Sequence, residues 1–306
     1  GYRVGFLRQV QAVFGRAWTI QGRQADALWA LGVKNVLVAV MTAAIFWQKG
    51  NVSTSARLLD PATGDVTANA SNVLALLYFG VLYGTTGHLQ AIPDMFASKR
   101  LFVRERAAGM YSTAVYWLVN ATVHVPVLLG GYVVYVNACY WSLGLAADAD
   151  IYWTFALSGF LCTLIGYTSA QALAAAMPTP QAAIAAFPLL FITMANFAGF
   201  AVRVPNVAAW WRWLCDVSYV RWLFQIVAVN EFQGFDEGEE LLTLYGFDER
   251  GVGATWPLLF LYLAVFHLLC LAFLLPGRSR LCAAVPAELL AREAREKREE
   301  EEEAWG

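Results

Sequence analysis

No aspartate or glutamate falls inside any of the six long apolar stretches of this 306-residue chain. Proton-coupled carriers as a rule keep an ionisable carboxylate at membrane depth, so its lack counts against that class. Charge as a whole is scarce. Only 14% of residues are Asp, Glu, Lys or Arg against 59% hydrophobic, and mean hydropathy is +0.50, which excludes an ordinary soluble domain and marks an integral membrane protein. Cysteine is sparse too. The five, at 139, 162, 215, 270 and 282, stand singly with no C-x-x-C, which argues against a disulfide framework or a thiolate metal site and for buried apolar thiols. No G-x-x-x-x-G-K-[ST] occurs, so the chain has no phosphate-cradling loop of that kind; H-E-x-x-H and G-x-S-x-G are missing as well. No catalytic residue, metal site or cofactor is expected within it. Three histidines, His88, His124 and His267, are the groups that titrate near neutrality, and each is read as a hydrogen-bonded packing residue rather than a proton relay.

The net charge of -2 conceals a strong asymmetry. No nucleic-acid partner is expected; the bilayer is the evident one. Residues 1–27 set Leu7, Val10, Phe14, Ala17 and Trp18 on one helical face with Arg3, Arg8, Arg16 and Arg23 between, the pattern of an amphipathic helix on a lipid surface. Six spans then follow within residues 28–275. The first, Leu28–Trp47, has 20 residues, which reach roughly 30 Å, one hydrocarbon thickness. Its one charge, Lys34, either snorkels to the interface or meets a neighbouring helix. The others are Asn72–Pro93, Thr113–Tyr140, Tyr152–Met177, Gln181–Val202 and Thr255–Leu275. Gly80 and Gly84 form a small-xxx-small seam in the second span, and Pro126 bends the third. Tryptophans 210, 211, 213 and 222 suit the headgroup level, and Leu214–Val229 reads as a surface or re-entrant helix. Residues 276–306 form a charged tail. The stretch from Leu101 to Tyr111 follows Lys99 and Arg100 and holds Arg104 and Arg106. With it on the inside, 14 of the 21 basic residues lie there and 6 outside. Both termini are then cytosolic, and Asn51 and Asn69 stand in N-x-[ST] sequons on the outer side, a pattern that matches many unmodified sites. The first residue is Gly1 rather than Met, so a piece of a longer chain is expected.

Three ordered strings carry a family resemblance. Phe102, Arg104, Glu105, Gly109 and Tyr111 form F-x-R-E-x-x-x-G-x-Y. Phe197-Ala198-Gly199-Phe200 closes the fifth span. Trp210-Trp211-Arg212-Trp213 runs through Ser218, Arg221 and Trp222 to Asn230-Glu231-Phe232. Together they resemble the membrane domain of the G subfamily of ATP-binding cassette exporters, the White/pleiotropic-drug-resistance type with an ABC-2 fold. Ser98 stands where that family has an acid before its basic pair, and His124 where it has an acid two before the proline.

The resemblance implies an all-α integral membrane fold of six transmembrane helices behind an interfacial amphipathic helix. It implies half of a twelve-helix exporter for lipid-like, sterol or hydrophobic xenobiotic compounds, paired with an identical or similar second half. ATP and Mg would be bound by a separate nucleotide-binding domain. Lys99, Arg100, Phe102, Arg104, Glu105, Arg106, Gly109 and Tyr111 would make the coupling loop. Tyr83, Thr86, Phe191, Ile192 and Ala195 would line the substrate cavity, with Phe200 as the exit plug. Each of these also suits ordinary interhelical packing. A carrier or channel that needs no ATP, and a membrane scaffold that transports nothing, stay open as alternatives; the plasma membrane is the expected location, an organelle membrane the other.

Overall fold

The computed structural model describes residues 4–51, 57–145, 148–247 and 252–275. Among them no β-strand occurs, and one isolated bridge joins Leu59 to Val66. Twelve α-helices follow in order: α1 Phe6–Arg23, α2 Ala25–Phe46, α3 Ala68–Thr86, α4 Ile92–Ala107, α5 Thr113–Thr122, α6 Val125–Leu143, α7 Ala149–Ala176, α8 Pro180–Asn196, α9 Arg212–Val217, α10 Tyr219–Phe232, α11 Gly238–Tyr245 and α12 Val252–Leu274.

Four stretches are long and apolar enough to cross a membrane: Trp29–Phe46, Thr113–Leu143, Ala149–Ala176 and Gly253–Leu274. α3 opens on the polar run Asn69, Ser71 and Asn72, and α8 is a shorter apolar helix of 17 residues. The expected second span is shorter than the sequence suggests. Its helix stops at Thr86, and the chain turns before α4 begins at Ile92, so Pro93 belongs to the first turn of α4, where its missing N–H costs nothing. The third span is broken at Val123–His124 into α5 and α6, with Pro126 in the first turn of the second piece.

α7 is the hub. It packs against α3, α6, α10 and α12, and Ser158, Thr163, Thr168 and Ser169 turn their hydroxyls back to their own helix carbonyls, so polar side chains are buried there without orphaned protons. Of the expected seam, Gly80 faces the ring of Phe155, while Gly84 lies against the α7 backbone: a Cβ there would stand 2.9 Å from Gly159 O. α2 packs chiefly on α6 and leaves Trp29, Val33, Leu37, Val40 and Met41 exposed, the face a lipid chain covers.

α9 and α10 settle the two readings of the tryptophan-rich segment. α10 is almost wholly buried, so a surface helix is ruled out and a hairpin inserted into the bundle is what forms. Tyr219 meets Tyr262 and Phe266, midway along α12, whereas Asn230 donates to Ile151 O at the start of α7. The turn between them frees carbonyls at bilayer depth, which need partners. Tyr262 Oη donates to Asp216 O and Val217 O, and Trp222 Nε1 donates to Asp216 O.

Candidate functional site

The basic segment expected as a loop is a helix. α4 has Pro93 and Asp94 in its first turn and Arg104 and Arg106 in its last, the charge order that favours a helix dipole. Two residues past its end at Ala107 stands Gly109, whose φ of +71° lets the Met110 N–H reach back to Glu105 O. Ile92, Met95, Phe96, Lys99 and Phe102 form its buried face, and Ala97, Arg100, Leu101 and Arg104 its exposed one.

Lys99 is the unexpected member. Its ammonium is buried at the C-terminal end of α7, donating to Ala174 O at 2.9 Å, Ala175 O at 2.8 Å and Met177 O at 3.4 Å. Those carbonyls are the negative end of a 28-residue helix, so the ion is held by dipoles rather than by a carboxylate. The spacing carried the signal: residues 92, 95, 96, 99 and 102 share one helical face, and four of the five are apolar.

The rest of α4 is tied to α1, α5 and α12. Phe102 stacks on Tyr116 with ring centroids 4.2 Å apart. Arg16 of α1 grips the Glu105 carboxylate through both terminal nitrogens, the longer contact 2.8 Å, and Tyr111 Oη donates to the same group at 2.6 Å. Arg16 first and Tyr111 after it hold the Glu105 carboxyl below its usual range, and burial with that carboxylate raises the Tyr111 hydroxyl. Arg106 donates to Leu274 O at 3.0 Å, at the end of α12. Ser98 shares a hydrogen bond with the Tyr116 hydroxyl. So Glu105 and Arg106 are engaged within the chain, while Arg100 and Arg104 remain exposed on one side of a helix anchored on its other.

The expected cavity residues divide. Tyr83 stacks on Tyr135 with centroids 3.6 Å apart and donates to Asn35 Oδ1, which turns it toward α2 and α6. Phe191 is partly exposed and Ile192 is 54% exposed on α8. Ala195 is half-buried, and its carbonyl accepts from Tyr78 Oη. The side chain of Thr86 lies outside the described residues. Within one copy of the chain, Tyr83 and the α8 residues therefore face different spaces. Phe200 stacks on Tyr78 at 4.4 Å and meets Phe224 edge-on, above a Gly199 whose φ of +91° calls for glycine. Of the histidines, His88 bonds Gly84 O and His124 bonds Gln21, while His267 Nδ1 is buried without a partner. The cysteines at 139, 162, 215 and 270 are buried and form no disulfide; Cys282 and the charged tail lie outside the described residues.

Residues 8–232, from α1 to the end of α10, match the family model described as ABC-2 type transporter. The chain belongs to the ABC-2 type transporter family. Its relatives include ABC transporter G family members. It is 26% identical over 286 residues to ABC transporter G family member 7 of Arabidopsis thaliana, covering 87% of this chain and 37% of that protein. To the ABC transporter ATP-binding protein/permease wht-1 of Caenorhabditis elegans it is 23% identical over 231 residues, 76% of this chain and 32% of that one. To ABC transporter G family member 36 of Oryza sativa subsp. indica it is 30% identical over 199 residues, 64% of this chain and 13% of the relative. The chain thus spans under two-fifths of the length of the curated relatives it matches. The ABC-2 match covers both α4 and the α9–α10 hairpin, the two elements where the quoted strings lie.

Proposed function

We propose that this ABC-2 domain is the membrane-spanning half of an ATP-driven exporter of the G-family kind, worked through α4 by nucleotide-binding domains that bind ATP and Mg. The observation that carries the reading is the two-faced character of α4. One face is fixed by Lys99 to α7, by Glu105 to α1 and by Arg106 to α12. The other offers Arg100, Leu101 and Arg104 to a partner. A push on the free face moves several spans at once, because α4 grips the end of the hub helix and leans on its neighbours. The name of wht-1 joins an ATP-binding protein to a permease in one polypeptide, which supports cassettes elsewhere in a longer chain.

By the same reading, α8 faces a second transmembrane half. Leu189 and Ile192 are uncovered on it, and with Phe191 and Ala195 they give an apolar wall without fixed charge. Such a wall suits bulky uncharged compounds: sterols, other lipid-like molecules and hydrophobic xenobiotics. Phe200, in its aromatic cluster with Tyr78 and Phe224, would be the plug between that space and the outer side. Both termini are cytosolic in this arrangement, with the plasma membrane as the site of action. The mechanism requires two packings of the bundle that bind substrate unequally, with cassette closure favouring one.

The test is reconstitution of the full-length protein in liposomes. Phe191→Ala and Ile192→Ala should change which lipid-like substrates stimulate ATP hydrolysis and are transported, with cell-surface amount unchanged. Transport that persists without ATP would contradict the exporter, and wild-type behaviour of both variants would remove these residues from the path.

A further inference from the structure

A second polar centre lies away from α4, between α2, α3, α6 and α7. A cavity of about 40 Å³ there is lined by Lys34, Asn35, Tyr83, His88, Tyr132 and Thr163, among others. Each of three glycines is the clearance for one polar tip. A Cβ on Gly87 would stand 2.6 Å from Lys34 Nζ, one on Gly131 would stand 2.5 Å from Asn35 Nδ2, and one on Gly159 would overlap the Tyr132 hydroxyl. Three backbones have been thinned to admit three donors.

Several donors line this crevice. Asn35 Oδ1 is taken by the Tyr83 hydroxyl, so its amide offers protons. His88 Nε2 bonds Gly84 O, and since a carbonyl only accepts, that nitrogen carries the proton and Nδ1 is left as an acceptor. Thr163 spends its proton on Gly159 O. Tyr132 is buried, and its hydroxyl has no partner. Lys34 has the ring of Tyr83 at 5.7 Å, and neither ion pair among the described residues includes it. Among the described side chains no carboxylate pairs with Lys34: α3 and α6 have none, Asp94 of α4 lies toward His124 and Tyr167, and Asp150, the one acid of α7, is 13 positions from Thr163, about 20 Å along the helix; the side chain of Asp26, on α2 itself, lies outside the described residues. Lys34 is half-buried, and an ammonium drawn even partly out of water without a counter-charge is costly.

We propose that this crevice binds one small monovalent inorganic anion, of chloride character, which neutralises Lys34 and joins α2 to α3 and α6. Water alone would satisfy the hydrogen bonds but leave the charge uncompensated. The volume has room for one or two water-sized particles, at ~30 Å³ of liquid volume for each water, and not for a phosphate headgroup with its ester arms.

The test uses thermal unfolding of the purified full-length protein in sodium gluconate, chloride and bromide at equal ionic strength. Chloride and bromide should each raise the Tm over gluconate by about 2–4 °C. The rise should vanish in Lys34→Met and shrink in Tyr132→Phe, which removes only the hydroxyl and serves if the lysine variant does not fold. Equal Tm in all three salts, or a halide effect that survives both substitutions, would overturn the proposal in favour of water. Nanodiscs of neutral and of anionic phospholipid separate the remaining source: an anionic lipid that replaces the halide effect in gluconate would assign the site to a headgroup and overturn the inorganic anion.

Discussion

Two lysines set among helices are held in different ways. Lys99 has three carbonyls at the end of α7, so replacing it by methionine strands those acceptors and should cost about 1–3 kcal/mol. Thermal unfolding of Lys99→Met beside Arg100→Met checks this, because Arg100 is exposed and its loss should fall within about 0.5 kcal/mol of no change. Glu105 gives a pH test. Its carboxyl is held below the usual 4.5 by Arg16 and then Tyr111, so the tie is fully present above that pH and fades as pH falls through the lower folded value. Arg16 is 40% exposed at its side chain, so the contribution is at most about 1 kcal/mol. Glu105→Gln should therefore lower Tm slightly at neutral pH, and the gap from wild type should close in acid.

At the scale of elements, the α3–α7 seam is where packing is most exacting. At Gly84 an added methyl would meet the backbone of Gly159 and Thr163, which cannot swing aside, whereas at Gly80 it meets the tip of the Phe155 ring. Gly84→Ala should therefore destabilise by about 1–3 kcal/mol and Gly80→Ala by less, as read from unfolding of the two variants side by side. The hairpin of α9 and α10 makes a second case. Tyr262→Phe removes the proton shared by Asp216 O and Val217 O at its turn and should cost about 1 kcal/mol.

Much of this architecture was legible in the sequence and some was not. Apolar length located α2, α7 and α12 within a few residues, and Pro126 marked the bend between α5 and α6. Gly87 and His88 hid the end of α3, because composition stays apolar through a turn that geometry requires. Arginine density made α4 look like a loop, although its apolar positions at 92, 95, 96 and 102 already had helical spacing. The inward placement of Tyr83 toward α2 could not be read, since nothing in its own helix says which neighbour takes which face.

For the whole molecule, α7 joins the main elements of the bundle: α4 seats at its end, α3 and α10 pack along it, and α12 runs beside it. Under the proposed coupling, a force applied to α4 would pass to this shared helix rather than into loops. The face of α4 left free is basic, so, if the proposed coupling holds, reversing its sign should uncouple the domain from its cassettes without disturbing the fold. The decisive measurement is ATP-dependent transport and substrate-stimulated ATP hydrolysis by the full-length Arg100→Glu/Arg104→Glu protein in liposomes, alongside its Tm. Coupling through α4 requires that both activities collapse while Tm stays at the wild-type value; transport at the wild-type rate would contradict it.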